Sequence, residues 1–280
     1  MTYREALAEA TNQLKYADIT DFEFDSWAMF EAVTGMTKSS FLVNRDDDIP
    51  KDKLSIYKSM IEQRVSHRPL QYIIGTAWFY GLEFDVDENV LIPRFDTENL
   101  VEWILKDEKD ANSFLDMCTG SGCIAVACSY YLKSIRGVAS DISEGALLVA
   151  EKNAKKHGCD IAFKKGNLFE SIEGKFDFIV SNPPYIEPEV VEKLSSEVKD
   201  FEPRLALTDE EDGLLFYRKI SKEAKSFLKA GGRLYFEIGY NQAEAVTDIL
   251  TAEGYDDIMV KKDLSGLDRC IKAVYKHQGE

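Results

Sequence analysis

From Ser113 to Tyr275 the chain alternates short apolar, β-branched runs with stretches of helical periodicity, and that alternation restricts it to one kind of architecture. The candidate strands are 113–117 (SFLDM), 136–141 (RGVASD), 161–165 (IAFKK), 176–182 (FDFIVSN), 232–239 (GRLYFEIG), 257–262 (DIMVKK) and 270–275 (CIKAVY). Amphipathic helices fit 122–133, 144–157, 212–228 and 241–252. Strands that alternate with helices are joined by crossovers, so the expected fold is α/β, a doubly wound and mostly parallel sheet of seven strands. About eight residues separate the last two strands, too few for a crossover helix, so these two are expected to pair antiparallel.

Residues 1–75 read as a small helical domain. Tyr3, Leu7, Ala10 and Leu14 recur at helical spacing. Asp25 is placed to cap a second helix carrying Trp27 and Phe30 and ending near Gly35; Pro50 fits the first turn of a third, with Ile56, Met60 and Val65 on its buried side. Residues 76–93 alternate aromatic or β-branched with polar side chains around Gly81, the pattern of a hairpin linking this part to a sheet domain over 94–280. Tyr72, Trp78 and Phe79 are read as core. Residues 1–75 contain no catalytic constellation, so their expected job is substrate recognition or packing.

Composition narrows the function classes. With 45% apolar and 30% charged residues the chain is an ordinary soluble globule able to bury a core. No apolar run approaches the ~18 residues of a membrane span. The first residues, MTYREALAEA, carry acids where a secretory signal has a basic end, so a cytoplasmic location is expected. A net charge of −16 argues against duplex backbone as the main source of affinity, which needs Lys and Arg to displace counterions; direct nucleic-acid binding is not expected. The five cysteines form no CxxC pair and His67, His157 and His277 are scattered, so no metal site is expected.

The segment 114–127 (FLDMCTGSGCIAVA) is strand, glycine turn, helix. In an open α/β sheet a ligand sits beyond the carboxyl ends of the strands. Gly120 and Gly122 permit a sharp turn and close approach, and the following helix presents free N–H groups there. Asp141 ends the next candidate strand, where a carboxylate can accept from both hydroxyls of a ribose. The pattern suits an adenosine cofactor without choosing it, because Gly120–Ala125 also satisfies the GxGxxA spacing of dinucleotide sites; an acid at 141 also serves as a helix cap. Asn167, after the third candidate strand, has a carboxamide able to bond an adenine edge and is equally a turn residue.

Ser181-Asn182-Pro183-Pro184-Tyr185 follows the fourth candidate strand. Two prolines stiffen the loop. The Asn182 side-chain oxygen and the Pro183 carbonyl are two acceptors, and Tyr185 adds an aromatic face. Together they suit a planar –NH2 group whose lone pair is aimed at one point, the arrangement needed for in-line transfer to an electrophilic methyl. Asn-Pro and Pro-Pro are also ordinary turn formers.

Taken together, the motifs resemble the peptide chain release factor glutamine methyltransferases. The resemblance runs through 68–98 (RPLQYIIGTAWFYGLEFDVDENVLIPRFDTE), 116–127, 181–186 (SNPPYI), 201–207 (FEPRLAL), 212–218 (DGLLFYR), 236–242 (FEIGYNQ) and 263–269 (DLSGLDR). Asn-Pro-Pro-Tyr alone also occurs in amino-methylating enzymes acting on DNA adenine or ribosomal RNA; the IPR–DTE and EPRLAL blocks narrow the group. The resemblance implies a Rossmann-like class I methyltransferase fold, S-adenosyl-L-methionine as cofactor, no metal, and methylation of the glutamine side-chain amide in the GGQ motif of release factors. Cys118, Thr119, Gly120, Ser121, Gly122, Asp141, Asn167, Leu168 and Asn182 would then hold the cofactor. Asn182, Pro183, Pro184 and Tyr185 would hold the glutamine amide, with Asn182, Pro183 and Tyr185 serving catalysis. The helical N-terminal part would help dock the release factor. Arg94 and Glu98 would lie beside the site, or pair on the surface between hairpin and sheet domain. Four positions depart from the family pattern: Cys118 stands for the first glycine, Asn167 for an aspartate, Phe95 for the second proline of IPRPDTE and Leu267 for the arginine of GRDR.

Overall fold

The computed structural model describes residues 1–276 and resolves the chain into two compact units, Met1–Thr76 with 195–201, and Ala77–Leu194 with the chain from Glu202 onward. His277 lies outside the described residues.

The first unit holds helices α1 (Tyr3–Tyr16), α2 (Phe22–Thr34), α3 (Lys38–Asn44), α4 (Lys51–Val65) and α5 (Leu70–Ile74). Thr2 opens α1 with a reciprocal capping box to Glu5, and Gly35 closes α2 in the left-handed conformation. The core gathers on Phe30, whose ring centroid lies within 5.9 Å of those of Tyr3, Trp27, Phe41 and Tyr57. Two readings of this region change. The buried face of α4 is Tyr57, Ile61 and Arg64, whereas Ile56 and Val65 are exposed: the face sits about one residue, or ~100° of helix rotation, from the one expected. Asp25 does not cap α2, because Asp21 stands at the cap; Asp25 is buried one turn inside the helix, 2.6 Å from Nε of Arg64. Arg64 also donates at 2.6 Å to Glu197 of the later segment 195–201.

A hairpin opens at the boundary between the units, β1 (Thr76–Phe79) and β2 (Leu82–Asp85), turning at Gly81 (φ 75°). Phe79 is buried, but Trp78 is 66% exposed: adjacent strand residues point to opposite faces, and Trp78 takes the outer one. Residues 86–93 are not strand. They make a turn, closed by the Val90 N–H on the Asp87 carbonyl at 3.2 Å, and lead into α6 (Phe95–Asp107), a helix the sequence reading did not anticipate.

The sheet domain then follows: β3 (Ser113–Met117), α7 (Cys123–Leu132), β4 (Arg136–Asp141), α8 (Glu144–Lys156), β5 (Ile161–Lys165) and β6 (Phe176–Ser181). Three short helices follow β6, namely α9 (Pro188–Val191), α10 (Ser196–Phe201), which belongs to the first unit, and α11 (Arg204–Leu207). The chain ends in α12 (Leu215–Ala224), β7 (Leu228–Glu237), α13 (Ala243–Ala252), β8 (Asp256–Lys262) and β9 (Asp268–Val274). The seven strands are ordered β5-β4-β3-β6-β7-β9-β8, parallel except for β9, which is antiparallel to both its neighbours. The doubly wound sheet and its antiparallel last pair are as the sequence led one to expect. α6 and α7 pack one face with Phe114, Phe178 and Tyr235; α12 and α13 pack the other with Leu115, Ile179 and Phe236. Strand order reverses between β3 and β6, which places a crevice at their carboxyl ends.

Candidate active site

Sheet register sets the site. Met117 pairs with Ser140 on one side and Ser181 on the other, and Ser181 pairs with Phe236. The next residue on each strand, read across the sheet, gives Asp141, Cys118, Asn182 and Glu237 in a row along one edge. The Ser181 hydroxyl donates to the Met117 carbonyl at 2.8 Å and ties the two central strands at the point where their loops diverge.

The glycine turn hangs from two aspartates. Gly120 (φ 53°) has no atom within 4 Å of where a Cβ would stand, so it leaves its side of the turn open. Gly122 (φ 78°) is constrained sterically: a Cβ would lie 3.0 Å from that of Ala150 on α8. The backbone N–H of Gly120 donates to Oδ2 of Asp141 and that of Ser143 to Oδ1, both at 2.9 Å. These bonds fix the Asp141 carboxylate at the cavity wall with lone pairs to spare. Burial raises its carboxyl above the ordinary aspartate range, against the pull of those N–H donors. Beneath the turn, fully buried Asp116 accepts from the Thr119 hydroxyl at 2.6 Å and the Ala125 N–H at 3.2 Å, both on Oδ2. Cys118, where the family pattern has glycine, is itself left-handed (φ 60°). Asn167 is exposed after β5 and its N–H donates to Glu170; Leu168 is buried at φ 54°.

The Asn-Pro-Pro-Tyr loop is fastened by groups to which the sequence reading gave no role. The Asn182 Nδ2 donates to the Thr97 hydroxyl at 3.3 Å, and that hydroxyl donates to Oε2 of Glu237 at 2.5 Å. Glu237 is 2% exposed, and its Oε1 accepts the Tyr185 hydroxyl at 3.1 Å. Burial raises the Glu237 carboxyl despite both donors and despite nearby Arg269. The Tyr185 carbonyl accepts from Gln242 at 3.0 Å. Asn182 and Pro184 line the cavity. Pro183 and Tyr185 do not stand on that wall: Tyr185 packs against the Leu115–Phe236 core and turns its hydroxyl to Glu237. Thr97, Asp116 and Glu237 had one signal in the sequence, a polar residue among apolar ones at a strand or helix end, where burial demands a partner.

The cavity wall joins the expected residues Cys118, Thr119, Gly120, Ser121, Asp141, Asn167, Leu168, Asn182 and Pro184 to Asn89–Leu91, Pro93, Arg94, Thr97, Pro203, Leu205 and Phe216, among others. Gly122 supports the turn from behind. Arg94 does not pair with Glu98; it donates to Glu202 at 2.6 Å, bringing the IPR and EPRLAL blocks together, while Glu98 accepts the Tyr80 N–H at 2.7 Å. The charged side chains on the wall are Arg94, already paired, and Asp141. A pyrophosphate would find one engaged cation there. A ligand with an adenosine end, no phosphate and a cationic reactive centre fits this wall better than a dinucleotide does. Among the described residues no cluster of three or more His, Cys, Asp or Glu could hold a metal ion, and no helix is long and apolar enough to cross a membrane.

Comparison with known proteins gives the family. Residues 5–75 match the family model described as the PrmC N-terminal domain, and residues 84–198 match the methyltransferase small domain. The chain is 38% identical to the release factor glutamine methyltransferase of Geobacter sulfurreducens, over 96% of this chain and 95% of that one. It is 41% identical to the protein of the same name from Streptococcus pneumoniae, over 88% and 82% of the two chains. Among solved structures, a methyltransferase from Pyrococcus furiosus shares the fold, with a TM-score of 0.55 at 16% identity over 71% of this chain and 91% of that one. With near full-length identity of this order to curated members, the chain belongs to the release factor glutamine methyltransferase family.

Proposed function

We propose that this protein transfers a methyl group from S-adenosyl-L-methionine to the side-chain amide nitrogen of a glutamine in a peptide chain release factor, the glutamine of the GGQ motif. One observation carries the reading: Asn182 and the glycine turn leave register-paired ends of β6 and β3 and face the same cavity. The cofactor supplies an electrophilic methyl on a sulfonium when bound. Cys118–Ser121, Asp141, the Asn167–Leu168 pair and Asn182 are the groups assigned to hold it, with Gly122 supporting the turn from behind. The Gly120 and Ser143 N–H bonds fix the Asp141 carboxylate at the cavity wall, and the role assigned to it is to accept from the ribose hydroxyls.

The substrate nitrogen is a poor nucleophile because its lone pair is delocalised into the amide carbonyl. A neutral Asn182 cannot remove the amide proton before attack. Its Oδ1, on the cavity wall, can accept an N–H bond of the substrate and direct the nitrogen to the methyl carbon, with the proton lost during or after transfer; Pro183, off that wall, keeps the part of stiffening the loop. Orientation of this kind can contribute up to ~7–11 kcal/mol. Tyr185 serves by holding the loop through Glu237. Residues 1–75 are assigned to recognition of the release factor.

The test is peptide mass mapping of a release factor incubated with protein and cofactor, with DNA and ribosomal RNA as parallel acceptors. A gain of one methyl on the GGQ glutamine supports the reading. Methyl transfer to adenine or RNA with none to the release factor overturns it.

A further inference from the structure

Asn182 can present either end of its carboxamide to the cavity, and only the oxygen accepts a substrate N–H. The proton inventory of its neighbours decides which. The Thr97 hydroxyl has one proton, committed to Oε2 of Glu237 at 2.5 Å. Toward Asn182 it therefore offers lone pairs, and it receives Nδ2 at 3.3 Å. A flipped carboxamide would set two acceptors against each other with no proton between them. The other oxygen of the same carboxylate takes the hydroxyl of Tyr185, three residues along the loop. Glu237 stands where it can do both because Phe236 pairs with Ser181 in the sheet.

We infer that Glu237 is a positioning residue for methyl transfer: through Thr97 it fixes the Asn182 oxygen toward the cavity, and through Tyr185 it pins the far side of the acceptor loop. The inference rests on the reading of Asn182 as the acceptor. It depends on the chemistry of Glu237 and not on its shape. In Glu237→Gln the new amide can donate to the Thr97 hydroxyl, which then has its own proton free for the Asn182 oxygen. The relay runs backwards, and the flipped Asn182 becomes comfortable while turning its N–H groups to a substrate that needs acceptors.

The experiment is steady-state methylation of a release factor by full-length Glu237→Gln, Thr97→Val, Thr97→Ser and Asn182→Ala, with calorimetric titration of S-adenosyl-L-methionine into each. Glu237→Gln and Thr97→Val should each lower kcat about tenfold or more, the cost of one misdirected hydrogen bond, with cofactor affinity held within about twofold. Thr97→Ser, which keeps the hydroxyl, should recover most of what Thr97→Val loses. The double variant Glu237→Gln/Thr97→Val should be no worse than the poorer single one, because both act through one path. Wild-type kcat in Glu237→Gln, or equal losses in Thr97→Ser and Thr97→Val, overturns the inference while leaving Asn182 as acceptor. A fully active Asn182→Ala overturns the acceptor reading and this inference with it. Should Glu237→Gln fold poorly, the Thr97 pair decides the matter alone.

Discussion

Thr119 donates its hydroxyl to Oδ2 of Asp116 across 2.6 Å, so the glycine turn is fastened to a carboxyl group that has no access to solvent. Burial pushes that carboxyl up to about 7, with the charge of Asp141 adding to the rise and the Thr119 and Ala125 donors opposing it. The folded value lies above that of an unfolded aspartate. The stabilisation tied to the proton is therefore complete below about pH 4 and is lost as pH rises through the folded value. Thermal melts from about pH 8 down to about pH 5.5 should show the wild type gaining stability relative to Asp116→Asn, which keeps a neutral acceptor for Thr119. Parallel curves for the two proteins would show that Asp116 does not titrate in this window.

Cys118 carries the strain that the family pattern avoids with glycine. A left-handed non-glycine residue costs about 1 kcal/mol or more. Cys118→Gly removes that strain but gives up packing against the core and adds freedom to the unfolded chain, so its stability should lie within about 1 kcal/mol of the parent. Cys118→Val puts a β-branched side chain at the same φ and should lose about 2 kcal/mol or more. Equilibrium denaturation of the pair checks the ordering; a valine variant as stable as the glycine one would contradict it.

The two halves of the site should separate in kinetics. Asp141→Ala removes the acceptor assigned to the ribose and frees the Gly120 N–H, so calorimetry should show cofactor affinity falling about tenfold or more. Asn182→Ala should leave that affinity less affected and cut turnover by about a hundredfold. Unchanged affinity in the first variant would remove Asp141 from the site.

Within the first unit, Arg64 lies between Asp25 and Glu197, and its side chain and that of Asp25 are each 5% exposed. Arg64→Met strands the Asp25 carboxylate in the core and should cost that unit about 3–5 kcal/mol. Adding Asp25→Leu should recover much of the loss, because an apolar pair of similar volume carries no desolvation cost. Hydrogen exchange along α2 and α4 reports it; similar protection in single and double variants would refute the assignment.

The sheet was legible because each strand is a short apolar run bounded by turns, and because the short link between the last two strands forces them antiparallel. Other elements were not legible, for physical reasons. α3 buries no residue and α9–α11 are four to six residues long, too short for a period to show. α6 was readable in principle from Leu100, Val101, Trp103 and Ile104, but its first turn is also the IPRFDTE block, and the motif masked the periodicity. Asp25 looked like a cap because an acid before an apolar run usually is one; a buried partner 39 residues away has no local trace. The glycine turn, Asp141 and Asn182 could be named from the sequence because their chemistry is local. Thr97 and Glu237 meet only when α6 packs on β7, and they reach Asn182 only when β7 pairs with β6, so their joint hold on the acceptor loop had to await the fold.

The reversal of β9 has an engineering consequence. An antiparallel strand starts where its parallel neighbours stop, so the turn from Asp263 to Leu267 and the Arg269 that follows it emerge on the reactive rim, Arg269 next to the residue paired with Glu237. The strand then carries the chain back to the opposite rim by Val274. A fluorescent reporter fused past that point should leave catalysis alone, whereas one grafted into the 263–267 turn would sit on the rim that carries Glu237 and its partners.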